Sequence, residues 1–224
     1  MKKLFNTTIT LALIMALILT GGCKKTPAVN GLVASYANSH TVAGVTTNST
    51  TTLTYDAQSR LTEIQGTGTP ITFAYGSGSV TQTQGSTVVI YTLNSAGLAT
   101  SDNTGNTYVY DNNGYNTTTT NSGTGGTTTI NTISNGNIAN TSSTTNGVTT
   151  TYSYTYLSTT DYRTYGQAFF GKNSVDLVNS EAISNPTTTT YTFSYTYDSK
   201  GRVQTQTYIS GTTSDVTTYT YVNP

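Results

Sequence analysis

The chain has no tryptophan, one cysteine and one histidine among its 224 residues, and only 8% of them are charged. Each shortage excludes something. A secreted protein with a single Cys has no partner for an internal disulfide. One His and one Cys do not make a structural zinc site. A hydrolase triad that uses His would have to be assembled around His40. That residue sits in SYANSHTVAG with no acid beside it in sequence, and it reads as a surface or sheet-edge residue. Nine basic residues oppose nine acidic ones without any basic stripe, so no nucleic-acid partner is expected. What fills the chain instead is Thr, about a quarter of all residues, together with Ser, Asn, Gly and 18 Tyr. Thr and Tyr fit a pleated, half-buried surface, whereas Ser, Asn and Gly are poor helix interiors. Composition alone therefore predicts an all-β protein.

The N-terminus is of a different kind. MKKLFNTTITLALIMALILTGGC begins with Lys2 and Lys3, continues through the apolar LALIMALIL at 11–19, and reaches small residues Gly21 and Gly22 before Cys23. The apolar run is too short to span a bilayer and reads as a secretory signal. LTGGC resembles the lipobox of bacterial lipoproteins, with Thr20 where Leu is usual. The expected organisation is a signal peptide over 1–22, a lipidated tether over 23–30 starting at an acylated Cys23, and one β domain over 31–224. Several acyl chains would hold such a protein stably, each buried CH₂ contributing ~0.8 kcal/mol.

The domain is written in repeats. In YTYDSKGR, Tyr195 and Tyr197 are two apart and share one face of a strand. Asp198-Ser199-Lys200-Gly201 then matches a type I turn, with Asp bonding to the backbone and Gly accepting positive φ. Asp111 and Gly114 repeat the unit closely, Asn94 and Gly97 repeat it with Asn for Asp, and Asp56 heads a copy with Ser59 in place of Gly. Further turn signals, such as Gly125-Gly126, Asn135-Gly136 and Asn146-Gly147, keep reversals near ten residues apart.

The sum is a single large curled antiparallel meander of roughly fifteen strands, an open or half-closed roll, because accumulated twist does not allow a flat sheet of that size. Its aromatic face turns inward and its Thr and Ser face outward. YGQAFFGKNSVDLVNSEAI (165–183) breaks the alternation and predicts an irregular or helical insertion near 171–180, capped by Asn173 or Ser174 and able to plug an open end.

The Tyr-x-Tyr-Asp-x-x-Gly-Arg units resemble the YD repeats of RHS-type bacterial proteins. The whole arrangement is similar to a family of secreted Bacteroidota lipoproteins, a domain of unknown function described as having a porin-like fold. There a Gly-Lys-x-Ser-x-Asn-Leu-like segment precedes the last strands, and here Gly171, Lys172, Asn173, Ser174, Asp176, Leu177 and Val178 match it loosely. The resemblance covers about 31–224 and implies a large curled antiparallel sheet. It brings no catalytic or binding residues with it.

No catalytic constellation is visible, and no enzyme, cofactor or metal is expected. Asp56, Asp111 and Asp198 share one turn position, so they do a common backbone task and do not form a facing glycosidase pair. Arg60, Arg163, Lys172 and Arg202 read as solvated turn charges. The expected function is a non-enzymatic, lipid-anchored cell-envelope protein serving as a structural or binding module. It would be an outer-membrane lipoprotein facing either the periplasm or the outside. The alternative is a carrier for a glycan or acyl ligand in an aromatic concavity, with Tyr154, Tyr156, Tyr195 and Tyr197 as ligand-facing rings. An outer-membrane spanning barrel is the third reading.

Overall fold

A computed structural model describes residues 31–123 and 125–222. Cys23, the signal segment and the tether lie outside the described residues. Sixteen strands follow in order: β1 Val33–Val42, β2 Val45–Tyr55, β3 Leu61–Gln65, β4 Ile71–Gly76, β5 Ser79–Gln84, β6 Thr87–Leu93, β7 Ala99–Asp102 and β8 Asn106–Tyr110. Then come β9 Asn116–Asn121, β10 Thr127–Ser134, β11 Asn137–Thr145, β12 Val148–Thr160, β13 Asp176–Ser184, β14 Thr188–Tyr197, β15 Val203–Ser210 and β16 Thr213–Tyr221.

Each strand pairs antiparallel with its neighbours in sequence, and β1 pairs with β16, so the sheet closes into a barrel. This corrects the open or half-closed roll of about fifteen strands. Closure leaves no edge with unpaired N–H and C=O groups. The contact that makes it, Tyr36 opposite Tyr219, joins residues from the two ends of the chain, and local alternation does not display it.

The insertion also differs. The helical turn is a 3₁₀ turn at Ala168–Phe170, and Asp176 onward is strand β13. Asn173 and Ser174 follow that turn and cap nothing; Ser174 Oγ accepts the Ile138 N–H and bonds the Tyr156 hydroxyl instead.

In a sixteen-strand meander the reversals alternate between two ends. Every copy of the YD-like turn falls at one end, together with both termini of the barrel and the long β12–β13 connection. The wall is uneven: β3 to β9 run four to seven residues, while β12 runs thirteen. The buried core, including Val33, Leu53, Leu61, Phe73, Val80, Tyr91, Phe169, Phe170, Tyr219 and Tyr221, gathers toward the end with the YD turns. Toward the other end, residues 45–50 of β2 are exposed on both faces. The barrel is therefore a cup with a packed floor and an open mouth.

Candidate functional site: the lumen and its floor

The YD turns build the rim of the floor. Asp198 Oδ1 accepts the N–H groups of Lys200 and Arg202, and the Gly201 N–H donates to the Asp198 carbonyl, with Gly201 at φ +76°. Asp111 does the same with Asn113 and Tyr115, closed by Gly114, and Asn94 with Ala96 and Leu98, closed by Gly97. Asp56 accepts from Gln58 and Arg60, and Ser59 closes its turn at φ +60°. A related turn outside the YD pattern lies at the mouth: Asp102 of Asp102-Asn-Thr-Gly105 accepts the Thr104 and Asn106 N–H groups. Its D-x-x-G spacing was there to be read; no Tyr-x-Tyr precedes it.

The floor itself is the strap between β12 and β13. It crosses the barrel and bonds to turns on several sides. Thr164 N–H donates to Gly31 O, Leu61 N–H to Gly166 O, Lys172 N–H to Gly114 O and Val175 N–H to Gly136 O. Phe169 and Phe170, with ring centroids 4.3 Å apart, stack into Phe73, Tyr75, Tyr91 and Tyr108. Gly171 lets the strap pass: it has φ +95°, and a Cβ there would lie 2.6 Å from Gly114 O.

Arg163 is not a solvated charge. It lies 9% exposed within the floor, pairs with Asp161 at 2.7 Å, and donates to Gln206 and to the Tyr219 hydroxyl. Arg202 is likewise buried, 2.6 Å from Asp198 and 4.3 Å from the centre of the Tyr221 ring. Their partners and the tyrosine rings remove the need for water. Only Arg60 keeps an exposed head, over Tyr75 and beside Asp56.

Above the floor the lumen wall is polar and aromatic. His40 is neither on the outside nor at an edge. It faces the lumen, and its Nδ1 lies 2.8 Å from both oxygens of buried Asp215. A carboxylate only accepts, so Nδ1 carries the proton. The acid stands 175 residues away in sequence, which hid the pair. Tyr208 stands opposite Asp215 on the next strand. Glu181 lies between Tyr154 and Tyr191, directly opposite both. Burial pushes the Glu181 carboxyl above its ordinary 4.5, partly offset by the Tyr154 hydroxyl. Across the lumen, burial raises Asp102, but hydrogen bonds from Thr104, Asn106 and Tyr108 outweigh it and hold the carboxyl below its ordinary value. Among the described residues, no group of three or more His, Cys, Asp or Glu could hold a metal ion.

Of the four aromatic candidates, only Tyr154 lines the open part of the lumen. The Tyr156 hydroxyl donates to Ile138 O and the Tyr195 hydroxyl to Val178 O, so both are tied to the wall near the floor. Tyr197 ends β14 at the floor rim and is exposed.

No family profile matches the chain, and no curated protein matches it. Among solved structures the barrel is similar to a porin-like protein from Bacteroides uniformis, with a TM-score of 0.67 and 18% identity over 85% of this chain and 98% of that one. At that identity the likeness shows a shared fold.

Proposed function

We propose that the chain is a non-enzymatic outer-membrane lipoprotein, tethered through acylated Cys23, whose barrel stands on the membrane and binds a small ligand in its lumen. The observation that carries this reading is the strap. It fills the floor with Phe169, Phe170 and the Arg163–Asp161 pair, so the lumen is blind. Residue 31 enters the barrel at that same end, with the Thr164 N–H bonded to the Gly31 carbonyl. A tether over 23–30 would thus hold the floor toward the bilayer and leave the mouth facing away from it.

The porin-like neighbour and the closed barrel favour a second reading, a membrane-spanning barrel. The outer face weighs against it. One rank around the wall reads Thr41, Ser214, Ile209, Thr192, Ser180, Thr155, all direct cross-strand neighbours. Among the described residues, outward apolar side chains such as Val88, Ile90, Val109 and Ile130 are scattered among hydroxyls and form no lipid-facing belt.

Metabolic labelling with a palmitate analogue tests the anchor: wild type is expected to take label and Cys23→Ala to lose it. Purified protein added to planar bilayers is expected to give no conductance. Stable open channels would replace this reading with the spanning one. Protease shaving of intact cells decides which side of the outer membrane carries the barrel.

A further inference from the structure

The charges of the barrel are sorted by height. All five Lys and Arg among the described residues stand at the floor: Arg60, Lys200 and Arg202 in YD turns, Arg163 and Lys172 on the strap. Three of them pair with Asp56, Asp161 and Asp198. The open lumen carries Asp102, Glu181 and Asp215, answered only by His40, which Asp215 already engages. A blind cup with low-dielectric walls and acids of one sign concentrates cations.

Within that cup neither Asp102 nor Glu181 has a paired cation among the described residues, but Asp102 is held by hydrogen bonds from Thr104, Asn106 and Tyr108, which leaves Glu181 as the acid open to one. No Lys or Arg among the described residues lies beside it, and it is buried enough for its charged form to be disfavoured. Its neighbours are rings: Tyr154 and Tyr191 stand opposite it on either side, and the Tyr191 ring meets Tyr208 edge-on at 5.5 Å. Burial raises the phenols of Tyr152, Tyr154, Tyr156 and Tyr208, and the Glu181 charge adds to each. Aromatic faces and a carboxylate both attract an alkylammonium group. They offer nothing comparable to an anion. A neutral sugar donates hydroxyls to a carboxylate but brings no opposite charge to it, and phenols held in their protonated form are poor metal ligands.

We infer that Glu181, flanked by Tyr154 and Tyr191, is the recognition point for an organic ammonium group on the luminal ligand. This rests on the reading of the lumen as a binding cup and names the chemistry of what it binds. An amino sugar and a quaternary amine share that chemistry, and the test separates them.

Detergent-solubilised full-length protein is titrated calorimetrically with choline, glucosamine, N-acetylglucosamine and glucose. Choline or glucosamine is expected to bind at least tenfold more tightly than the two neutral sugars, with the stronger of the pair identifying the source. Glu181→Gln is expected to lose at least tenfold in affinity for that cation while keeping its far-ultraviolet circular dichroism. Should that variant not fold, Tyr191→Leu decides, with a loss of threefold or more expected. Equal binding of a neutral sugar and its amine overturns the inference and leaves the cup reading standing. Cation affinity unchanged in Glu181→Gln overturns it too, and so does silence from all four compounds.

Discussion

At the scale of single residues, Ser59 is the outlier among the YD turns. It holds φ +60° where the three copies closed by glycine have Gly97, Gly114 and Gly201. A left-handed non-glycine residue costs roughly 1–2 kcal/mol, and glycine gives back part of that gain as backbone entropy of roughly 0.5–1 kcal/mol. Ser59→Gly is therefore expected to stabilise the barrel by up to ~1 kcal/mol, read as a higher urea midpoint with an unchanged m value. Asp198 and Asp56 make the same turn bonds but answer different arginines. Removing Asp198 takes the carboxylate away from a buried guanidinium, so Asp198→Ala is expected to cost about 2–4 kcal/mol, and more than Asp56→Ala, whose Arg60 can turn to water. Glu181 gives a pH signature. Its folded pKa lies above its ordinary 4.5, so its contribution is fully present below that pH and is lost as pH rises through the folded value. Glu181→Gln should thus equal wild type near pH 4 and exceed it at pH 7 in chemical denaturation. The turn residues were legible because their bonds span two to four residues. Glu181 was not singled out, because its meaning lies in rings some ten and some twenty-seven residues away on adjacent strands.

At the scale of elements, the strap carries the weight that a second layer carries in other folds. Sequence reading found it through the break in alternation at Phe169-Phe170-Gly171, and it placed the helical turn too late because Asn173 and Ser174 resemble caps. The true partners of Ser174, on β11 and β12, belong to the barrel wall. The same blindness made Arg163 look solvated, since Gln206 and Tyr219 reach it from β15 and β16. Truncating a buried Phe in such a cluster costs about 3–5 kcal/mol. Phe169→Ala and Phe170→Ala are each expected to lose that much in thermal or urea unfolding, and amides of β4, β6 and β8, whose rings they touch, should exchange faster. Gly171→Ala should be at least as damaging without removing any apolar surface. Its left-handed φ and its 2.6 Å approach to Gly114 O leave no room for a methyl group unless the strap lifts. Wild-type stability in Gly171→Ala would mean that the strap does not seat on the β8–β9 turn.

At the scale of the whole molecule, closure converts the tyrosine stripes into an interior, and the alkaline titration reports it. All 18 tyrosines fall within the described residues. Burial pushes Tyr75, Tyr91 and Tyr110 up to about 12, and it drives Tyr36, Tyr55, Tyr108, Tyr154, Tyr165, Tyr195, Tyr208 and Tyr221 upward from the ordinary 10.0 as well. A phenol whose folded pKa is raised stabilises the fold below the unfolded value and ceases to do so as pH climbs through the folded one. With many such phenols inside one cooperative barrel, stability should fall steeply above pH 10. The buried rings should then ionise together when the sheet opens, because an unfolded chain offers them water and the cup does not. Absorbance at 295 nm followed alongside circular dichroism is expected to show one large step that coincides with loss of the β signal. The guanidinium-denatured chain should titrate smoothly around pH 10. A smooth titration centred there with the sheet intact would mean that the rings meet solvent freely, and that the packed floor and aromatic lining do not exist in solution.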